Sequence, residues 1–154
     1  MKIEVFKANI KTADMHAHRM RLAYAEISHL LPLTDAEGLD YKVLADLEFF
    51  TNRFAKLQDH IGGRIFPMVL SFLGENVQGL SMLEQLNILA KRKIIPSVET
   101  WLLIRQSRNS LAHDYPTDPE ISVQNINQII EHSLWILNFW DELRVKLEGY
   151  LKQL

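Results

Sequence analysis

Apolar side chains recur every three to four residues along almost the whole chain, and strand-like alternation is almost absent. That period marks helices burying one face each. All five prolines fall at plausible helix boundaries. The first helix is expected to begin near Thr12-Ala13-Asp14, with either polar residue as its cap. Ala13, Met20, Ala23, Ile27 and Leu30 share its inner face, and Pro32 stops it. After a turn over Thr34 to Leu39, a second helix carries Leu39, Val43, Leu47, Phe50, Phe54, Leu57 and Ile61 in one stripe. Gly62-Gly63 loosens or interrupts it, and the apolar run Ile65 to Leu73 reads as a buried extension or a kinked continuation.

Gly74 and Gly79 bracket a loop. Ser81 with Glu84 spells a capping box for a shorter helix whose last turn holds Lys91-Arg92-Lys93. Pro96-Ser97 opens the next helix. Asp118-Pro119-Glu120 starts the last, which runs to about Leu151. Its stripe is Ile126, Ile129, Ile130, Leu137, Trp140, Leu143, Leu147 and Leu151. Leu134 to Leu137 is apolar on every side, and Phe139 widens that girdle. A girdle so wide implies packing on two sides, and a dimer interface is one way to supply it. The expected fold is all-α, an up-and-down bundle of four to five helices in one domain over residues 1–154.

Composition narrows the chemistry. There is no cysteine, so disulfides, zinc thiolates and thiol nucleophiles are absent together. The N-terminal residues lack a signal-peptide pattern and no stretch has the length of a membrane span, so a soluble cytoplasmic protein is expected. The net charge of −2 argues against a general nucleic-acid binder. Residues 91–108 are nevertheless locally basic, with Lys91, Arg92, Lys93, Arg105 and Arg108 against only Glu99. These are candidate phosphate-binding groups. A solvated basic face explains them equally well.

The densest chemistry lies in Arg108-Asn109-Ser110-Leu111-Ala112-His113-Asp114-Tyr115. On a helix, Trp101 falls about 20° from Arg108, Ile104 about 40° and Leu111 about 60°. Arg108 therefore sits within the apolar stripe. A guanidinium keeps its charge, so it must snorkel, pair or face a polar pocket. His113 would lie about 140° away on a continuing helix. Pro116 biases Tyr115 out of helical geometry, so the motif is expected to straddle a helix end near Ala112 to Asp114. Imidazole moves protons near neutral pH, and arginine stabilises extra negative charge on a phosphate. Together they suit RNA cleavage by attack of a ribose 2′-hydroxyl on the adjacent phosphate. The structural alternative is that Arg108 pairs with an acid such as Asp114 and His113 merely ends a helix.

The other groups are bland. His16 and His18 diverge by about 160° on a helix and cannot share a metal. His29, His60 and His132 read as surface or hydrogen-bonded side chains, Trp101, Trp135 and Trp140 as core or interface, and Asp141-Glu142 as a solvated face. No metal site and no cofactor motif stands out.

The stretch Arg108 to Tyr115 resembles the Arg-x4-His-x-Tyr motif of HEPN proteins. It is most similar to the toxin of HEPN and minimal-nucleotidyltransferase toxin–antitoxin pairs of type VII. A looser likeness covers Leu47 to Pro67, including Phe54-Ala55-Lys56-Leu57-Gln58-Asp59. The resemblance implies a helical homodimer with two motif copies in one cleft. It implies a metal-independent endoribonuclease in which Arg108 holds the phosphate and His113 is the general acid or base. Asn109, Asp114 and Tyr115 would support them. Tyr115 would also be the site at which a cognate nucleotidyltransferase antitoxin adds AMP and silences the nuclease. The alternative function is a non-catalytic nucleotide- or anion-binding subunit of such a pair. A helical interaction module with a structural motif is the third reading.

Overall fold

In a computed structural model, residues 3–34, 40–111 and 119–154 are described. They form helices and connecting turns, with no strand among the described residues. The helices are α1 (Ile3–Ile27), α2 (Tyr41–His60), α3 (Phe66–Phe72), α4 (Met82–Lys91), α5 (Val98–Ser110) and α6 (Pro119–Leu151). Among the described residues, no helix is long and apolar enough to cross a membrane.

The first helix starts at Ile3, well before the expected cap. Phe6 and Ile10 extend its buried stripe toward the N-terminus, and Phe6 meets Phe72 edge-on at 6.3 Å. Tertiary burial thus outweighs the local start signal. Thr12 is mid-helix, its hydroxyl donating to the Ala8 carbonyl at 3.1 Å. Asp14 is not a cap either. It accepts from Trp140 Nε1 at 2.9 Å and Arg144 Nε at 2.8 Å, and so ties α1 to α6.

Asp40 caps α2 by accepting from the Val43 amide at 2.9 Å. Leu39, expected to begin the stripe, lies outside the described residues; Leu47, Phe50, Phe54, Leu57 and Ile61 are buried as read. A wide turn over Ile61–Ile65 joins α2 to α3 without a break, the Phe66 amide reaching back to the Ile61 carbonyl. Pro67 explains it. Its ring would crowd the Gly63 carbonyl in a regular helix, and the widened turn relieves that clash. Gly74 and Gly79 take φ of +88° and +83°, which only glycine adopts without strain. The capping box forms at Ser81 and Glu84, with bonds of 3.1 and 2.6 Å.

Contacts fix the helix directions. Asn9 meets His60 and Glu26 meets Lys42, so α1 and α2 run antiparallel. Asp59 meets Arg108 and Phe66 meets Trp101, so α5 opposes α2. Ser107 meets His132 and Trp101 meets Phe139, so α6 opposes α5. Four rods thus run up and down, and short α4 links α3 to α5. Within the girdle of α6, Ile136, Leu137 and Phe139 are buried by the same chain, with α1, α2 and α5 packed on α6, while Leu134 and Trp135 stay half exposed. A second subunit is not needed to cover the buried three. Asp141, read as solvated, pairs with Arg21 at 2.6 Å, though both remain half exposed.

Candidate functional site

Ser97 caps α5 by accepting from the Thr100 amide at 3.1 Å. Trp101 and Ile104 anchor the helix in the core, and Ser107 is buried one turn further on. The same face brings Arg108 to α2. Its Nε and Nη2 each donate to an Asp59 carboxylate oxygen at 2.8 Å. This planar fork holds the guanidinium in one orientation and leaves Nη1 outside the clamp. The bonded carboxylate favours the charged form still further. Of the three ways open to a guanidinium in the apolar stripe, Arg108 pairs with an acid, as the structural alternative has it, and that acid is Asp59.

The helix ends at Ser110, between Arg108 and His113. Ser110 Oγ donates to the Ser107 carbonyl at 2.7 Å within that last turn. Asn109 stands exposed beside Arg108, and Arg105 is exposed one turn earlier. The expected helix end near Ala112 to Asp114 falls in residues 112–118, outside the described residues. His113, Asp114, Tyr115 and Pro116 lie there too.

The other candidate phosphate ligands are not gathered around Arg108. Lys91, Arg92 and Lys93 close α4 and lead into the start of α5. From Val98 to Arg108 the helix rises about 15 Å, which sets that group near the opposite end of α5. Arg92 is paired with Glu75 at 2.7 Å, and the Lys93 carbonyl accepts from Lys146 at 3.2 Å. Spacing in sequence placed these residues near the motif, and the helix between them keeps them apart.

Two polar sites were not read from the sequence. Ser107 Oγ makes a short contact with His132 Nδ1, beside a cavity of about 230 Å³ lined also by Gln106, Ser110, Asn125 and Gln128. Burial lowers the His132 pKa, so the neutral ring accepts and the serine donates. Among the described residues no carboxylate bonds His132, so the pair lacks the third group that orients a catalytic base. The second site joins α1 to α2. Arg53 Nη1 donates to His16 Nδ1 at 3.3 Å, His60 Nε2 donates to the Asn9 carbonyl at 2.8 Å, and the two imidazoles lie 6.5 Å apart. No group of three or more His, Cys, Asp or Glu side chains among the described residues is placed to hold a metal.

Burial, then the charges of Arg53, His60, Lys56 and Arg19, lower the His16 pKa from 6.5 to about 4. Above about pH 6.5 both folded and unfolded imidazoles are neutral. Between 6.5 and 4 only the unfolded chain takes up the proton, so stability falls with pH across that window. Urea unfolding at pH 7 and pH 5 is expected to show a larger loss for wild type than for His16→Gln. Parallel losses in both proteins would show that His16 is not the group responsible.

Comparison of the chain with family models, with curated proteins and with solved structures returns no match.

Proposed function

We propose that this protein is a metal-independent endoribonuclease toxin of the HEPN type, acting as a cytoplasmic homodimer and silenced by a cognate minimal nucleotidyltransferase. The observation that carries the reading is Arg108. It stands in the last turn of α5, half buried and clamped by Asp59 on α2, five residues before His113. A fixed guanidinium is preorganised for the extra charge on a phosphorane-like transition state, because it need not reorient as that charge develops.

In the proposed reaction the ribose 2′-oxygen attacks the adjacent phosphorus and the bond to the 5′-oxygen breaks. The products are a 2′,3′-cyclic phosphate and a 5′-hydroxyl. His113 takes the proton from the 2′-hydroxyl or gives one to the departing 5′-oxygen. A second motif copy across a dimer would supply the complementary transfer. Asn109 is exposed beside Arg108, where it can hydrogen-bond the same phosphate. AMP on Tyr115 would add an anion within the motif and block it.

The net charge of −2 favours the second reading, a non-catalytic anion-binding subunit, and the Asp59–Arg108 pair favours the third, in which the motif is structural. Incubation of the purified chain with end-labelled RNA and a chelator separates the first two. Cleavage leaving cyclic-phosphate and 5′-hydroxyl ends is expected, and His113→Ala should abolish it. Cutting only with added divalent metal, or undiminished cutting by the variant, would refute the mechanism. RNA binding with no cutting by wild type would select the second reading.

A further inference from the structure

Arg53 has an unusual environment. Its guanidinium is half buried between α1 and α2, lies 5.2 Å from the centre of the Phe49 ring and donates to the neutral His16. Among the described residues no carboxylate pairs with it. The charges acting on His16 are those of Arg53, His60, Lys56 and Arg19, all basic groups. A cation withdrawn from water usually has its desolvation offset by an anion, and the contacts of this one among the described residues are the Phe49 ring and His16.

The basic groups follow the helix pair in register. On α1, Arg19 falls within about 60° of the neutral His16. On α2, Arg53, Lys56 and His60 fall within about 60°. Asp59 lies one turn beyond Lys56, offset by about 60°, and carries Arg108. The strip therefore ends beside the clamped arginine. Phe49, 43% exposed at the other end, offers an aromatic face. A cationic groove beside an exposed ring is how single strands are held without regard to sequence: the charges track the backbone and the ring stacks a base.

We propose that the α1–α2 groove, through Arg19, Arg53, Lys56 and His60, binds the phosphate backbone of single-stranded RNA and leads it to Arg108. This rests on the ribonuclease reading and adds the path of the substrate. It also relocates the phosphate ligands from Lys91–Lys93 to the other helix pair.

The test is fluorescence anisotropy with a labelled single-stranded oligoribonucleotide whose riboses carry 2′-methoxy groups and so cannot be cut by 2′-oxygen attack, the full chain and a chelator, over a salt series. Lys56 is exposed and makes no hydrogen bond among the described residues, so Lys56→Gln keeps the fold, as helical circular dichroism will verify. It is expected to weaken binding about equally for different sequences and to lower the slope of log K against log salt by about 0.7 to 1. Lys56→Glu should weaken it further. Affinity and slope unchanged in both variants would overturn the proposal. Displacement of the strand by millimolar ATP, at concentrations where an unrelated oligoribonucleotide competes poorly, would also overturn it, by assigning the groove to a free nucleotide. The two readings fail differently. If wild type cuts RNA and the Lys56 variants bind and cut like it, the groove is wrong and the nuclease stands. If wild type binds RNA through Lys56 but cuts nothing, the nuclease is wrong and the groove stands.

Discussion

Arg108→Ala is expected to lower RNA cleavage by about 10²–10³-fold, the usual consequence of removing one preorganised donor from a developing oxyanion. Arg108→Lys should recover little, because an ammonium cannot reproduce the two-bond fork with Asp59. The fold should survive either change. The pair joins a side chain 29% exposed to one 53% exposed, and ion pairs that wet contribute about 0–1 kcal/mol. Asp59→Asn separates positioning from charge. It keeps the shape, loosens the guanidinium and should cost about 10-fold or more in kcat, since small misplacements of a catalytic group are costly. Single-turnover cleavage beside urea unfolding checks all three variants. Full activity in Arg108→Ala, with a normal unfolding curve, would remove Arg108 from the chemistry.

The largest loss of stability is expected at Trp101. Its ring is fully buried, 4.6 Å from Phe66 and 5.8 Å from Phe139, where α5 meets α3 and α6. Trp101→Ala should cost about 3–5 kcal/mol, since it loses the transfer energy of an indole and leaves a cavity that rigid neighbours cannot fill. For a chain of this size that is a fall of about 10 °C in Tm. Trp101→Phe should cost much less. It keeps most of the contact area and removes an indole N–H that has no hydrogen-bond partner among the described residues. Thermal unfolding followed by circular dichroism decides it. Equal losses in the two variants would mean that packing volume is not what Trp101 supplies. The same variants bear on activity, because Trp101 seats the helix whose last turn carries Arg108.

Much of the fold was legible because its signals are local. Ser81, Glu84 and Ser97 act on amides three residues away, and stripes of period 3.6 mark which face is buried. Helix ends were harder where packing overrode them. Phe6 earns its helical place from Phe72, far along the chain, and Thr12 looked like a cap only because that contact was invisible.

At the site, sequence periodicity alone put Arg108 on an inward face, where its charge had to snorkel, pair or face a polar pocket. The sequence also placed the end of α5 near Ala112 to Asp114, outside the described residues. It did not identify the partner. Asp59 is 49 positions away, and no rule of local spacing connects them. The antiparallel course of α2 and α5 makes that pair. The length of α5 separates Lys91–Lys93 from Arg108, and the packing of α1 on α2 brings His16 to Arg53 and His60. Helical character and facing are decided within four residues, so the chain reports them directly. Which charge meets which is decided by how the rods dock, and only the tertiary structure contains that.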